Sequence, residues 1–218
     1  MKSLTLHDLV SFWADRQQAD DDGRWMHDAD RASLAGAEAL GFNLRYPVSP
    51  FIGNVVDAPV LILNLNGGYS ADRTPREFAH QDAVSAWLER VADPQAADWT
   101  AIPTYYHDAN YGAGLLDGRF ATINACAYRS TRLQDPKARK LAEGLPSVRF
   151  HRRWLMEAVL PLVEASERLV IAHRWGMWNI PPARKHMSGL LLDMKCRAFA
   201  DIDASLLAQV DNFSRKKN

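Results

Sequence analysis

Apolar positions along this chain follow two rhythms, one nearly continuous and one with helical spacing, and they alternate. The run Val60-Leu-Ile-Leu63, extended by Leu65, is almost wholly aliphatic, and the flanking Pro59 and Gly67 confine it to strand length. It predicts a buried central strand. Phe120 to Ala127 is apolar except at Thr122 and Asn124, which predicts a second buried strand. Arg168 to Ala172 supplies a third, and Lys195 to Ala200 a fourth. Helical spacing appears between them. Leu6, Leu9, Val10 and Trp13 fall on one face behind Thr5 as N-cap, with Asp8 three positions on. Val84, Trp87, Leu88 and Val91 form a second such face within Asp82 to Val91. A third runs from Arg149 to Glu164 through Trp154, Leu155, Ala158, Val159, Leu162 and Val163, with a kink expected at Pro161.

Two further helices are expected, over the Ala-rich residues 29 to 40 and over Asp203 to Val210. Tyr46 to Gly53 carries two prolines and reads as extended and irregular. Asp93 to Arg119 is a long connection holding Trp99, Tyr105, Tyr106 and Tyr111, and long ordered loops are often functional. Strands alternating with helices predict α/β layers around a mainly parallel sheet. No linker or repeat interrupts 1 to 218, so the reading is one domain with a helical extension at about 1 to 45.

Composition fits that picture: 218 residues, 47% hydrophobic and 24% charged, are enough for one sizeable core. No apolar run approaches the roughly 18 residues of a membrane helix, and the N-terminus lacks a signal-peptide pattern. A cytoplasmic protein without a membrane partner is expected, as a monomer. Cys126 and Cys196 are too few for a Cys-type zinc or iron–sulfur site and sit among apolar residues. The Asp20-Asp-Asp22 run has no further ligand pattern around it, and His80, His107-Asp108 and His151 lack metal-ligand spacing. No metal and no cofactor are expected. Net charge is zero, yet residues 1 to 118 carry −9 and residues 119 to 218 carry +9. Either the basic half meets a phosphate or nucleic acid, or the halves complement each other.

Chemistry concentrates where the first strand ends, in Asn64-Leu-Asn66-Gly67-Gly68-Tyr69-Ser70, and where the second ends, in Asn124-Ala-Cys-Ala-Tyr128-Arg129-Ser130. Strand exits of an open α/β sheet are where ligands bind. These segments resemble motifs of the uracil-DNA glycosylase superfamily, in particular its mismatch-specific and single-strand-selective branches. There a Gly-x-Asn-Pro-Gly motif closes the first strand and a base-reading asparagine lies on the second. Pro50-Phe-Ile-Gly53-Asn54 and Ala127-Tyr128-Arg129-Ser130 also resemble the Pro-x-x-Gly-Asn and Pro-Tyr-x-Ser motifs of an uncharacterised bacterial branch. The resemblance covers roughly 47 to 178. It implies a three-layer α/β/α fold with a four-stranded, mainly parallel sheet, and a DNA-binding protein that hydrolyses the bond between a damaged base and its sugar.

Under that resemblance Asn66 positions the water and Asn124 reads the base. Gly67, Gly68 and Tyr69 line the base pocket, while Ser70, Tyr128, Arg129, Ser130 and Arg174 hold flanking phosphates. An amide does not titrate near neutral pH, so Asn66 would orient the water rather than deprotonate it. A primary amide at Asn124 offers both donor and acceptor to the pairing edge of uracil. The chain departs from the family in two places. Gly67 replaces the proline, and no His/Asn-Pro-Ser loop follows the last strand, so the donor to the leaving base is unassigned, with His173 as the first candidate. Two alternatives remain open at this level: a non-catalytic nucleic-acid-binding module, and a hydrolase of free nucleotides or nucleosides with the Asn-Gly-Gly turn as phosphate cradle.

Overall fold

The computed structural model describes residues 2–14, 16–100, 102–193 and 201–215. Its centre is a five-stranded sheet made of β1 (Phe51–Ile52), β2 (Val60–Asn66), β3 (Phe120–Cys126), β4 (Leu169–Ala172) and β5 (Leu190–Leu192). In space they run β1-β3-β2-β4-β5. β1 is antiparallel to β3, and the other pairings are parallel. Among the described residues two of these strands were not expected, β1 and β5, and β1 arises because part of the irregular lead-in pairs with β3 as a short edge. The other edge is β5. The strand expected at Lys195 to Ala200 lies outside the described residues.

Why β2 reads as one aliphatic run is now clear. Val60 to Leu63 pair with β3 on one side and β4 on the other, and all four are fully buried. A strand covered on both faces has no solvent side to make polar. Each such side chain contributes about 2 kcal/mol of burial. The chain leaves β2 for β3 on one side and later returns to β4 on the other. The carboxyl ends of β2 and β4 therefore flank a point where the winding reverses, the place where open α/β sheets leave a crevice.

The helices largely follow their periodicity. Leu6–Trp13 is held by the reciprocal Thr5–Asp8 capping box, and Gln81–Ala92 buries Val84, Trp87 and Val91. The third apolar face begins as Pro146–Trp154, passes through a π turn at Leu155–Val159 and resumes as Leu160–Glu164. Pro161 has no amide hydrogen, and the wider turn ahead of it accommodates the loss. Pro136–Gly144 has too little apolar surface to stand out in sequence, but Asp135 caps it by accepting from the amides of Lys137 and Ala138. The last helix is Ala204–Arg215, longer than expected. Among the described residues no helix is long and apolar enough to cross a membrane.

The N-terminal region is less helical than its sequence suggests. Gln17–Ala19 and Trp25–His27 form an antiparallel hairpin. Its turn is the Asp20-Asp-Asp-Gly stretch, where Asp20 accepts from the Asp22 and Arg24 amides and pairs with the Arg24 guanidinium. The acidic run is spent on that turn. Residues 29 to 40 form 3-10 turns rather than an α-helix, Asp28–Leu34 and Ala37–Leu40, interrupted by Gly36 with φ of 74°.

Candidate functional site

A cavity of about 470 Å³ opens at the carboxyl ends of the parallel strands. Asn64 to Ser70 form one wall, with Arg73, Thr74 and Glu77 from the turn that follows. Arg129 to Thr131, Leu133 and Gln134, beyond β3, form a second. Arg174, beyond β4, and Pro103, Tyr105 and Tyr106 from the long connection complete it. Three strand exits and the aromatic connection thus converge, as the switch-point topology requires.

Asn64 and Asn66 stand two positions apart on β2, so their side chains leave the same face. Asn66 Nδ2 donates to the Ser130 carbonyl at 3.0 Å. That bond fixes which end of the amide is which and leaves Oδ1 as an acceptor without a protein donor among the described residues. Asn64 is 7% exposed, and its Nδ2 is buried without a hydrogen-bond partner. After Asn66 the backbone is tightly held. A Cβ on Gly67 would lie 3.0 Å from the Ala127 carbonyl oxygen and 3.0 Å from Ser49 Cβ. Gly68 has φ of 65° with open space around it, so there the demand is conformational. Ser70 then shapes the next turn: its hydroxyl accepts from the Arg73 amide, and its own amide donates to the Thr74 hydroxyl.

Arginine supplies the cavity's positive charge. Arg129 is 3% exposed. Its Nε donates to the Pro47 carbonyl at 3.1 Å, and its guanidinium carbon lies 5.0 Å from the centre of the Phe78 ring. Nη2 is buried with no acceptor. Desolvation lowers the Arg129 pKa from its ordinary value, and the charge of Glu77 opposes the shift. Arg73 is half-exposed and pairs with Asp108 at 3.3 Å. Glu77 is the one carboxylate lining the cavity among the described residues, and its Oε1 accepts from the Thr104 amide at 3.3 Å. Tyr69 packs against Tyr46, which in turn contacts Phe78, so the aromatic wall continues to Arg129. Among the described residues Tyr105 is the most exposed large apolar side chain, at 43%.

Of the residues expected at a site, Asn66, Gly67, Gly68, Tyr69, Ser70, Arg129, Ser130 and Arg174 line this cavity together. Three others do not. Asn124 is fully buried on β3, where its Nδ2 donates to the Ser49 carbonyl at 2.7 Å and exchanges longer contacts with the Tyr106 hydroxyl. Its amide is committed to the scaffold, and it supports Tyr106, which does face the cavity. Tyr128 donates to Asp30 at 2.8 Å and accepts from the His27 amide at 3.1 Å, pinning the N-terminal region rather than meeting a phosphate. His173 is 1% exposed and 2.7 Å from Asp193 Oδ2, behind the strand end.

Sequence reading missed Asn64, Arg73 and Glu77. Asn64 had a usable signal, a polar residue interrupting an aliphatic strand at the same parity as Asn66. Glu77 had none, since only the turn at Thr74–Glu77 brings it back to the cavity. The Pro50 to Asn54 lead-in serves architecture: Pro50 O accepts from the Asn124 amide at 2.9 Å, and Asn54 Oδ1 accepts from the amides of Val56 and Asp57. Burial pushes Tyr106 up to about 12, so its phenol is neutral across the physiological range. Among the described residues no three His, Cys, Asp or Glu side chains gather as a metal site needs. Comparison with protein-family models, with curated proteins and with solved structures found no match.

Proposed function

We propose that this cavity binds a nucleotide unit and hydrolyses the bond between base and sugar. Uracil or a related damaged base in DNA is the substrate class that the motif resemblance implies. The observation that carries the reading is the fixed amide of Asn66, whose Nδ2 is held by Ser130 while Oδ1 is left to accept from a water. Breaking an N-glycosidic bond develops a sugar cation and a base anion, so the site must hold a water and aim donors at the departing base. Glu77, the lining carboxylate, is the acceptor for the water's proton. Asn64, which lines the cavity on the same strand face as Asn66, takes the base-reading place expected of Asn124. Arg174 replaces His173 as the cationic group facing the leaving base.

Single- and double-stranded oligonucleotides carrying uracil, followed by alkaline cleavage of abasic sites, test this directly. Wild-type protein should release base, and Asn66→Ala should lower the rate by about 100-fold or more. No product from uracil or the common lesions, or undiminished activity in Asn66→Ala, overturns the reading. Salt-sensitive DNA binding without base release would select the non-catalytic module instead.

A further inference from the structure

We infer that the Arg129 end of the cavity is a subsite for a terminal phosphate, a phosphomonoester carried on a nucleotide. This rests on the reading that the cavity takes a nucleotide, and it narrows which kind.

The starting point is an incompletely satisfied buried cation. Arg129 is 97% covered by protein, and of its three guanidinium nitrogens only Nε is bonded, to the Pro47 carbonyl. Nη2 is shut away from solvent with no acceptor. No carboxylate forms an ion pair with it among the described residues, and Glu77 acts on it only through space. Buried charge is normally paired and buried donors are normally filled. Here the Phe78 ring and one carbonyl hold the guanidinium in place, while Nη1, without an acceptor among the described residues and not enclosed as Nη2 is, stays unspent beside the cavity. That is a preorganised receptor for an anion. Ser130 lines the same wall, and the Gly67–Gly68 backbone approaches from β2.

Phosphate in the middle of a strand fits this position poorly. It carries a sugar on both sides, so the strand would have to enter and leave through one mouth to bring it to a guanidinium this covered. A terminal phosphate ends the chain, carries up to two charges, and presents three oxygens to forked donors. The tyrosine wall then lies where the nucleoside's rings would pack. Such a phosphate has two sources, a free nucleoside monophosphate or the phosphorylated end of a strand.

Isothermal titration of the full chain with deoxyuridine 5′-monophosphate, deoxyuridine and inorganic phosphate tests the subsite, with single-stranded oligonucleotides bearing or lacking a 5′-phosphate as competitors. The monophosphate should bind at least about tenfold more tightly than the nucleoside, as charge-assisted bonds to a fixed arginine imply. Inorganic phosphate should displace it. Arg129→Met should bring the ratio close to one, and Arg129→Lys should leave it intermediate. If Arg129→Met does not fold, Arg129→Lys and the phosphate competition decide. Equal affinity for nucleoside and monophosphate, an unchanged ratio in the folded variants, or competition by the oligonucleotide lacking the end phosphate as strong as by the mononucleotide overturns the proposal. Competition by phosphorylated oligonucleotide alone, as strong as by the mononucleotide, supports it and assigns the strand end as source. Weak competition by both oligonucleotides supports it and assigns the free nucleotide. Base release is read in the same samples. Phosphate-dependent binding without release removes the hydrolytic reading and keeps the subsite, while release from internal uracil without phosphate preference does the reverse.

Discussion

Gly67 and Gly68 are neighbours with different reasons to be glycine. At Gly67 the obstacle is space, since Ala127 O and Ser49 Cβ occupy the volume of any side chain. Gly67→Ala should cost about 1–3 kcal/mol in urea unfolding, the usual range for overpacking against backbone. At Gly68 the obstacle is the left-handed backbone, and Gly68→Ala should cost about 1–2 kcal/mol with no clash. This turn is stiffened by contact with Ala127 and Ser49. Asn66 and Asn124 show how far residue type carries. Both lie on buried strands and both were expected in one pocket, yet Asn66 faces the cavity and Asn124 is bound to Ser49 and Tyr106. Strand parity separates residues only within one strand. Where the lead-in passes over β3, and so which asparagine it consumes, is a tertiary matter.

Among the elements, Pro146–Trp154 ties the N-terminal region to the sheet through one side chain. Trp13 Nε1 donates to His151 Nε2 at 2.7 Å, so the ring proton sits on Nδ1, which donates to the Asn124 carbonyl at 2.8 Å. Both nitrogens are used in the neutral form, and burial pushes His151 down to about 4. Because the folded value lies below the unfolded value of about 6.5, the unfolded chain binds the extra proton first. Stability from the neutral ring is therefore fully present above pH 6.5 and is lost as pH falls toward 4. The loss is on the order of 3 kcal/mol. Denaturant melts at pH 7.0, 5.5 and 4.5 should show it. His151→Gln, which keeps an acceptor and a donor but does not titrate, should flatten that window. Amphipathic spacing made this helix legible in sequence. The role of His151 was not, because its two partners lie on elements distant along the chain.

Over the whole molecule, the N-terminal region contributes buried side chains to the core. Leu9 and Trp13 are fully buried, Trp154 Nε1 donates to the carbonyls of Thr5 and Leu6, and Asp30 accepts from Tyr128 and from the Ser147 amide. Deleting residues 1 to 27 exposes Trp154 and leaves His151 without its indole donor. The truncated chain should lose its cooperative thermal transition by circular dichroism and bind a hydrophobic dye. The charge asymmetry also resolves in part. Ion pairs such as Arg24–Asp20, Arg73–Asp108, Arg139–Glu143 and Arg153–Glu157 are local, each within one half. Arg129 and Arg174 from the basic half reach the cavity together with Arg73 from the acidic half. The half-chain totals therefore describe the cavity less well than its three arginines and one glutamate do.

Hydrophobic periodicity by itself determined the α/β class, the three buried parallel strands and most helices, because burial on one face or two writes directly into the order of apolar residues. The polar strand exits marked where a ligand would meet the sheet, because an open parallel sheet has its crevice there. Tertiary structure alone decided the edge strands, too short to carry a period, and brought Glu77, Arg129 and Arg174 to one cavity from three separate segments of the chain. It also decided that Asn124, Tyr128 and His173 are held by the scaffold. A polar side chain in a strand or its exit looks the same in sequence whether its partner is a ligand or the protein's own backbone, and only the packing around it chooses between them.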